Sequence, residues 1–150
     1  MELQVNGARI YCYTGGKAFD AIKPTVVFIH GVLNDHSVWV LQSRSLAHHG
    51  HNVLAPDLPG HCKSAGAPPT TVEEGADFVL ALLDAAGINQ AALIGHSFGS
   101  LIALEAAARA PGRVTHLALI GTACPMRVSP ALLDASVNAP EQAIAMVNTF

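Results

Sequence analysis

Charge is the scarcest ingredient of this chain. Of 150 residues only 8 are Lys or Arg and 11 are Asp or Glu, and the net charge is −3. Without a basic run or patch to neutralise phosphates, a nucleic-acid partner is not expected. Cysteine is sparse as well. Cys12, Cys62 and Cys124 are odd in number, far apart and make no Cys-x-x-Cys, which excludes a disulfide framework and fits reduced thiols in the cytoplasm. The opening residues, 1–7, show no basic segment running into an apolar one, so no signal peptide is expected. No apolar run approaches the length of a membrane span. Repeats and low-complexity tracts are also missing, and nothing in the sequence implies a cofactor. What is abundant is apolar surface: 51% of the residues are hydrophobic, so most of a single domain must sit against something.

The order of the apolar segments implies an alternation of strands and helices. Residues 2–5 and 8–14 read as two strands around an Asn6-Gly7 turn, a hairpin signal. Thr25-Val26-Val27-Phe28-Ile29 is an unbroken β-branched and aromatic run, the pattern of a strand buried on both faces. A helix is expected over 36–48, stopped near Gly50, then a short strand over 52–56 and a loop over 57–70 rich in Pro and Gly. Thr71 and Glu74 have capping-box spacing. Ala76, Val79, Leu80 and Leu83 then give one apolar stripe at helical spacing, with Gly87 as the stop. A further strand is expected over 114–120. Beyond Gly121 two Pro-punctuated helices are expected over 130–137 and 139–150, the second opened by Asn138 and Glu141 in capping-box spacing. Strands alternating with helices imply a mostly parallel sheet with helices on both faces.

Between two of these elements lies Gly95-His96-Ser97-Phe98-Gly99. The residues before it, 91–94 running into Gly95, read as a buried strand, and the Ala-rich stretch 100–108 after it as a helix. Gly-x-Ser-x-Gly on a strand–turn–helix is the context in which this motif carries a mechanism. The turn is too tight for side chains near its ends. It lifts the serine oxygen off the sheet and aims the first free N–H groups of the helix at whatever that oxygen attacks. Ser97 is the leading nucleophile candidate.

Four blocks together resemble the α/β-hydrolase family along nearly the whole chain. They are His30-Gly31-Val32 after the third strand, Asp57-Leu58-Pro59-Gly60-His61-Cys62-Lys63-Ser64 after the fourth, the elbow at Ser97, and the 114–120 strand leading into helices. The resemblance implies that Ser97 attacks a carbonyl while the backbone N–H groups of Val32 and Phe98 hold the oxyanion. It makes residues 1–124 the N-terminal part of the hydrolase core and 125–150 the beginning of a helical cap. Cys62 departs from the pattern, standing where the family usually has glycine. A serine at the elbow also separates the chain from relatives that use aspartate there, the haloalkane dehalogenases and epoxide hydrolases.

The partners of a serine nucleophile in this fold follow it in the order acid, then histidine. After Ser97 the only histidine is His116, inside an expected strand, and the only acids are Glu105, Asp134 and Glu141. No triad can be assembled, so the chain is expected to be an N-terminal portion that stops before the last strands and within its cap. The remaining candidates carry plainer readings. His96 is beside the nucleophile but faces another way on a tight turn, and His30 braces the oxyanion loop. His36 lines the pocket mouth, whereas Trp39 packs the first helix on the sheet. Asp57 stabilises a turn. His48, His49 and His51 have no carboxylate or cysteine near them and read as surface residues, so no metal site is assigned. The expected function is hydrolysis of an ester or related acyl compound, with Val32, Leu33, Phe98, Leu132 and Leu133 favouring a hydrophobic group. The alternative is a non-catalytic remnant or binding protein of the same fold. With the 114–120 strand at an open edge, self-association is the other expected partnership.

Overall fold

Strand propensity and tight turns build the sheet from its outer hairpin inward. The computed structural model describes residues 1–20 and 22–148 of the chain. Strands β1 (Glu2–Val5) and β2 (Ala8–Tyr13) pair antiparallel through Asn6 and Gly7 at φ 50° and 78°, the left-handed conformation a two-residue hairpin turn of this hand demands. β2 pairs antiparallel with β4 (Asn52–Pro56), which lies parallel to β3 (Thr25–Ile29). β5 (Ala91–His96) and β6 (Val114–Ile120) continue the parallel sheet on the other side of β3. The order is β1-β2-β4-β3-β5-β6.

All five residues of β3 are buried because both faces of the sheet are covered. Val27 and Ile29 join Leu54 and Leu93 against α2 (Val72–Ala85) and α3 (Phe98–Arg109), where Val79, Leu82, Leu83 and Ile102 meet them. Val26 and Phe28 point the other way, into Val53, Ala55, Trp39 and Ala47 beneath α1 (Val40–His48). Gly75 lets α2 approach α3 closely, since a Cβ there would lie 2.6 Å from Ile102 Cγ1. Two further helices, α4 (Pro130–Asn138) and α5 (Pro140–Asn148), follow β6 and meet across Ala135 and Ala143.

Three expectations change at the level of helix ends. The expected 36–48 helix is a 3-10 turn over His36–Trp39 followed by α1, because Asp35 caps the Ser37 N–H at 2.7 Å and starts a tighter turn. The helix after the elbow begins at Phe98, two residues early. The Asn138–Glu141 capping box does not form. Asn138 closes α4, its amide donating to Asp134 Oδ1 at 2.8 Å, while the Ala139 carbonyl takes the first N–H bonds of α5. Thr149 and Phe150, the end of the expected 139–150 helix, lie outside the described residues. By contrast Thr71 does cap Glu74 N–H at 3.1 Å, with the Glu74 carboxylate reaching back to Thr70. Among the described residues no helix is long and apolar enough to cross a membrane.

Candidate active site

β3 is flanked by β4 on one side and β5 on the other, so the chain leaves the carboxyl ends of β3 and β5 in opposite directions. Such a switch point opens a crevice where ligands bind in open α/β sheets. The loop after β3 supplies residues 30–34 to it, and the turn after β5 supplies 95–99.

Ser97 sits at φ 53° and ψ −124°, close to the first central residue of a type II′ turn, a position that belongs to glycine. The conformation is held from both sides. A Cβ on Gly95 would collide with the Gly99 carbonyl and lie 2.6 Å from Ser100 Cα, and one on Gly99 would collide with the Ile29 and His30 carbonyls. The Ser97 carbonyl accepts from the Ser100 N–H at 2.9 Å and from its hydroxyl, and the Ser97 N–H donates to Ile120 at 2.9 Å. Its own hydroxyl does not cap α3 and makes no hydrogen bond among the described residues. Backbone strain of this kind concentrates at functional sites.

The β3 loop lies directly against this serine, with the position of a Cβ on Gly31 only 3.0 Å from Ser97 Cβ. That loop is fastened by His30, which is fully buried. Its Nδ1–H donates to the Gly31 carbonyl at 2.8 Å, leaving Nε2 to accept from the Leu58 N–H at 3.0 Å. The bond accepted at Nε2 requires the neutral ring, and burial holds its pKa below the ordinary value. Beyond it the chain turns, with the Asn34 N–H donating to Gly31 at 3.3 Å, and Val32 and Leu33 project about half exposed. Neither the Val32 nor the Phe98 backbone N–H has a partner among the described residues.

Among the described residues, no base is brought to Ser97. His96 packs between the ends of β3 and β6, against the sites of Gly31 and Gly121, and no hydrogen bond joins an imidazole to Ser97 among the described residues. His116 pairs with Ala92, four residues before His96 in the β5 register, about 13 Å down the strands from the elbow at 3.3 Å per residue. Glu105 is ion-paired with Arg109 at 2.6 Å, and Asp134 is engaged by Asn138.

Trp39 is buried against Phe28, ring centroids 5.0 Å apart. His36 turns inward to the fully buried Asp57, Nδ1 to Oδ1 at 2.7 Å, and so does not line an open pocket mouth. Asp57 also accepts the backbone N–H groups of His36 at 2.9 Å and Lys63 at 3.1 Å, which ties the loops after β3 and β4 together. Asp35 and Cys62 lie beside that pair, and the four potential ligand atoms are all within 4.8 Å of one another. Sequence reasoning missed this group because its members come from two loops about twenty residues apart. The signal that could have found it was Cys62 itself, a cysteine at φ 44° in a glycine place. Cys12 is of another kind, buried within β2 with its thiol pushed up to about 12 by desolvation.

The sheet, parallel but for its outer hairpin and covered by helices on both faces, defines an α/β protein with a strained serine turn at the end of β5. Residues 24–143 match the family model described as alpha/beta hydrolase fold, and the chain belongs to that family. It is 39% identical over 118 residues to the dihydrolipoyllysine-residue acetyltransferase component of the acetoin cleaving system of Cupriavidus necator, covering 77% of this chain and 30% of that protein. It is 35% identical over 120 residues to lipase LipV of Mycobacterium tuberculosis, covering 77% and 44%. Among solved structures, epoxide hydrolase A of Mycobacterium thermoresistibile superimposes with a TM-score of 0.68 at 31% identity, covering 79% of this chain and 37% of that one. The chain therefore spans less than half the length of these relatives.

Proposed function

We propose that the chain carries the nucleophile and oxyanion half of a serine hydrolase acting on an ester or related acyl compound. The observation that supports this most is Ser97 itself: a non-glycine residue held at φ 53° with an unengaged hydroxyl, against the β3 loop. In this reading the Ser97 oxygen adds to the carbonyl carbon, and the N–H groups of Val32 and Phe98 receive the oxyanion. The leaving group then departs with the proton, and water releases the acyl group.

Chemistry favours acyl over epoxide substrates for a serine. A carboxylate that opens an epoxide leaves an ester, which water can cleave; a serine would leave an ether, which it cannot. The base and its orienting acid are proposed to come from a longer polypeptide, of which residues 125–150 begin the cap. The short coverage of the relatives and the order of triad residues in this fold both support that.

The test is reaction of the chain with a fluorophosphonate, with and without added imidazole as a surrogate base, read by intact mass. One adduct per chain, promoted by imidazole and lost in Ser97→Ala, is the expected result. A folded chain that gives no adduct under either condition, or an adduct that survives in Ser97→Ala, overturns the nucleophile assignment and favours a non-catalytic binding protein.

A further inference from the structure

A second group of reactive side chains lies on the loops beside the proposed nucleophile and plays no part in its chemistry. Asp35 and His36 follow β3; Asp57 and Cys62 follow β4. Their donor atoms, two carboxylate oxygens, one imidazole nitrogen and one sulfur, all lie within 4.8 Å of one another. We propose that these four residues form a binding site for a zinc ion or a similar borderline divalent cation, which clamps the β3 loop to the β4 loop.

The donor set carries the choice of ion. One thiolate with one imidazole and carboxylates suits a borderline metal, whereas calcium and magnesium take oxygen ligands. A tetrahedral zinc site places its donors about 3.3–3.6 Å apart, given bonds of about 2.0–2.3 Å. The separations here straddle that spacing: His36 Nδ1 is 2.7 Å from Asp57 Oδ1 and 3.7 Å from Asp35 Oδ1. The short one is a hydrogen bond whose proton the metal replaces, and the ring shifts its N–H to Nε2. The Cys62 thiol proton leaves to solvent as the sulfur–metal bond forms.

The site has the support that metal ligands require. The backbone N–H groups of His36 and Lys63 hold the two oxygens of Asp57 from behind, so the buried carboxylate is oriented before any ion arrives. Two carboxylates and a thiolate carry three negative charges against two positive ones, and the ammonium of Lys63, the residue after Cys62, acts electrostatically on that thiol and offsets part of the excess. Four protein ligands complete a tetrahedron and leave no open position, which makes the role structural, not catalytic. The loop that is clamped is the one that carries His30, Gly31 and Val32. His48, His49 and His51, by contrast, do not form such a group among the described residues.

Cobalt(II) is the probe, because a thiolate ligand gives it a charge-transfer band and a tetrahedral site gives it intense d–d absorption. The expected result is one Co2+ per chain with both features, displaced by Zn2+. The test variant is Cys62→Gly, whose φ of 44° accepts glycine without strain, with circular dichroism confirming the fold. It is expected to abolish the thiolate band and to remove the rise in Tm that Zn2+ gives the parent chain. Asp35→Asn, which keeps the oxygen that caps Ser37, is expected to weaken Zn2+ binding tenfold or more. A missing thiolate band in the parent chain, or a band that survives Cys62→Gly and so belongs to exposed Cys124, overturns the proposal. Equal stabilisation of both chains by Zn2+ does the same. None of these outcomes bears on Ser97, which the fluorophosphonate reaction tests separately.

Discussion

Replacing the serine of the elbow by glycine should make the protein more stable while removing the proposed nucleophile. Ser97 carries a Cβ at φ 53° and ψ −124°, and a residue forced into such a region costs about 1–3 kcal/mol. Glycine adopts it freely but gives up about 0.5–1 kcal/mol through the greater entropy of the unfolded chain. The net gain for Ser97→Gly is therefore about 0–2.5 kcal/mol, centred near 1, a rise in Tm of roughly 2–4 °C per kcal/mol for a chain of this size. Ser97→Ala is the control, because it keeps the Cβ and therefore the strain. The hydroxyl it removes makes no hydrogen bond among the described residues, so its stability should stay within about 0.5 kcal/mol of the parent. Urea unfolding followed by circular dichroism reads the difference as a higher midpoint for Ser97→Gly at unchanged slope. Both variants lose the fluorophosphonate adduct. If Ser97→Gly proves no more stable than Ser97→Ala, the elbow is not strained and the surrounding packing does not force the serine into an unfavourable conformation.

Two other expectations concern the buried histidine and the sheet edge. Burial holds the His30 pKa below its ordinary value of 6.5, with His61 lowering it further and the Gly31 carbonyl and the Asp57 and Asp35 carboxylates opposing. The unfolded chain thus takes up the proton first as pH falls. This contribution to stability is fully present above about pH 6.5 and is lost as pH drops from there toward the folded value, at up to about 1.4 kcal/mol per pH unit. Urea unfolding between about pH 7.5 and about pH 5.5 should show a shallower pH dependence for His30→Gln than for the parent, and equal slopes would contradict the assignment. At the edge, Leu117, Leu119 and Ile120 of β6 are exposed, and Ile120 lines an apolar groove of about 560 Å³ together with Trp39, Leu41, Ile94 and Ala118. β6 ends the sheet, and an apolar strand with no partner on its outer edge among the described residues invites pairing, so the chain on its own is expected to show a sedimentation mass that rises with concentration and falls in Leu119→Lys. A monomer at every concentration would refute that.

Local signals were written plainly in the sequence. Asn6-Gly7 specified a hairpin, Thr71 a helix start and the apolar run 25–29 a strand buried on both faces, because turns, caps and side-chain alternation act over a few residues. The elbow was legible for the same reason: strand, Gly-x-Ser-x-Gly and helix are contiguous, and the two glycines are required by contacts within the turn and with the adjoining strand end. Helix ends were less legible, since Asp35 and Asn138 each had more than one local partner to choose from.

Relations across the sheet were decided only by tertiary structure. The order β4-β3-β5-β6 sets Gly31 against Ser97, leaves His116 at the far end of its strand from the elbow, and lets Leu58 fasten His30 from another loop. The same order gathers Asp35, His36, Asp57 and Cys62 into one group. Sequence alone determined which segments become strands, helices and turns, because each carries its own hydrophobic period and punctuation. Which loop ends become neighbours depends on strand pairing between segments far apart in the chain, and only the folded sheet fixes that.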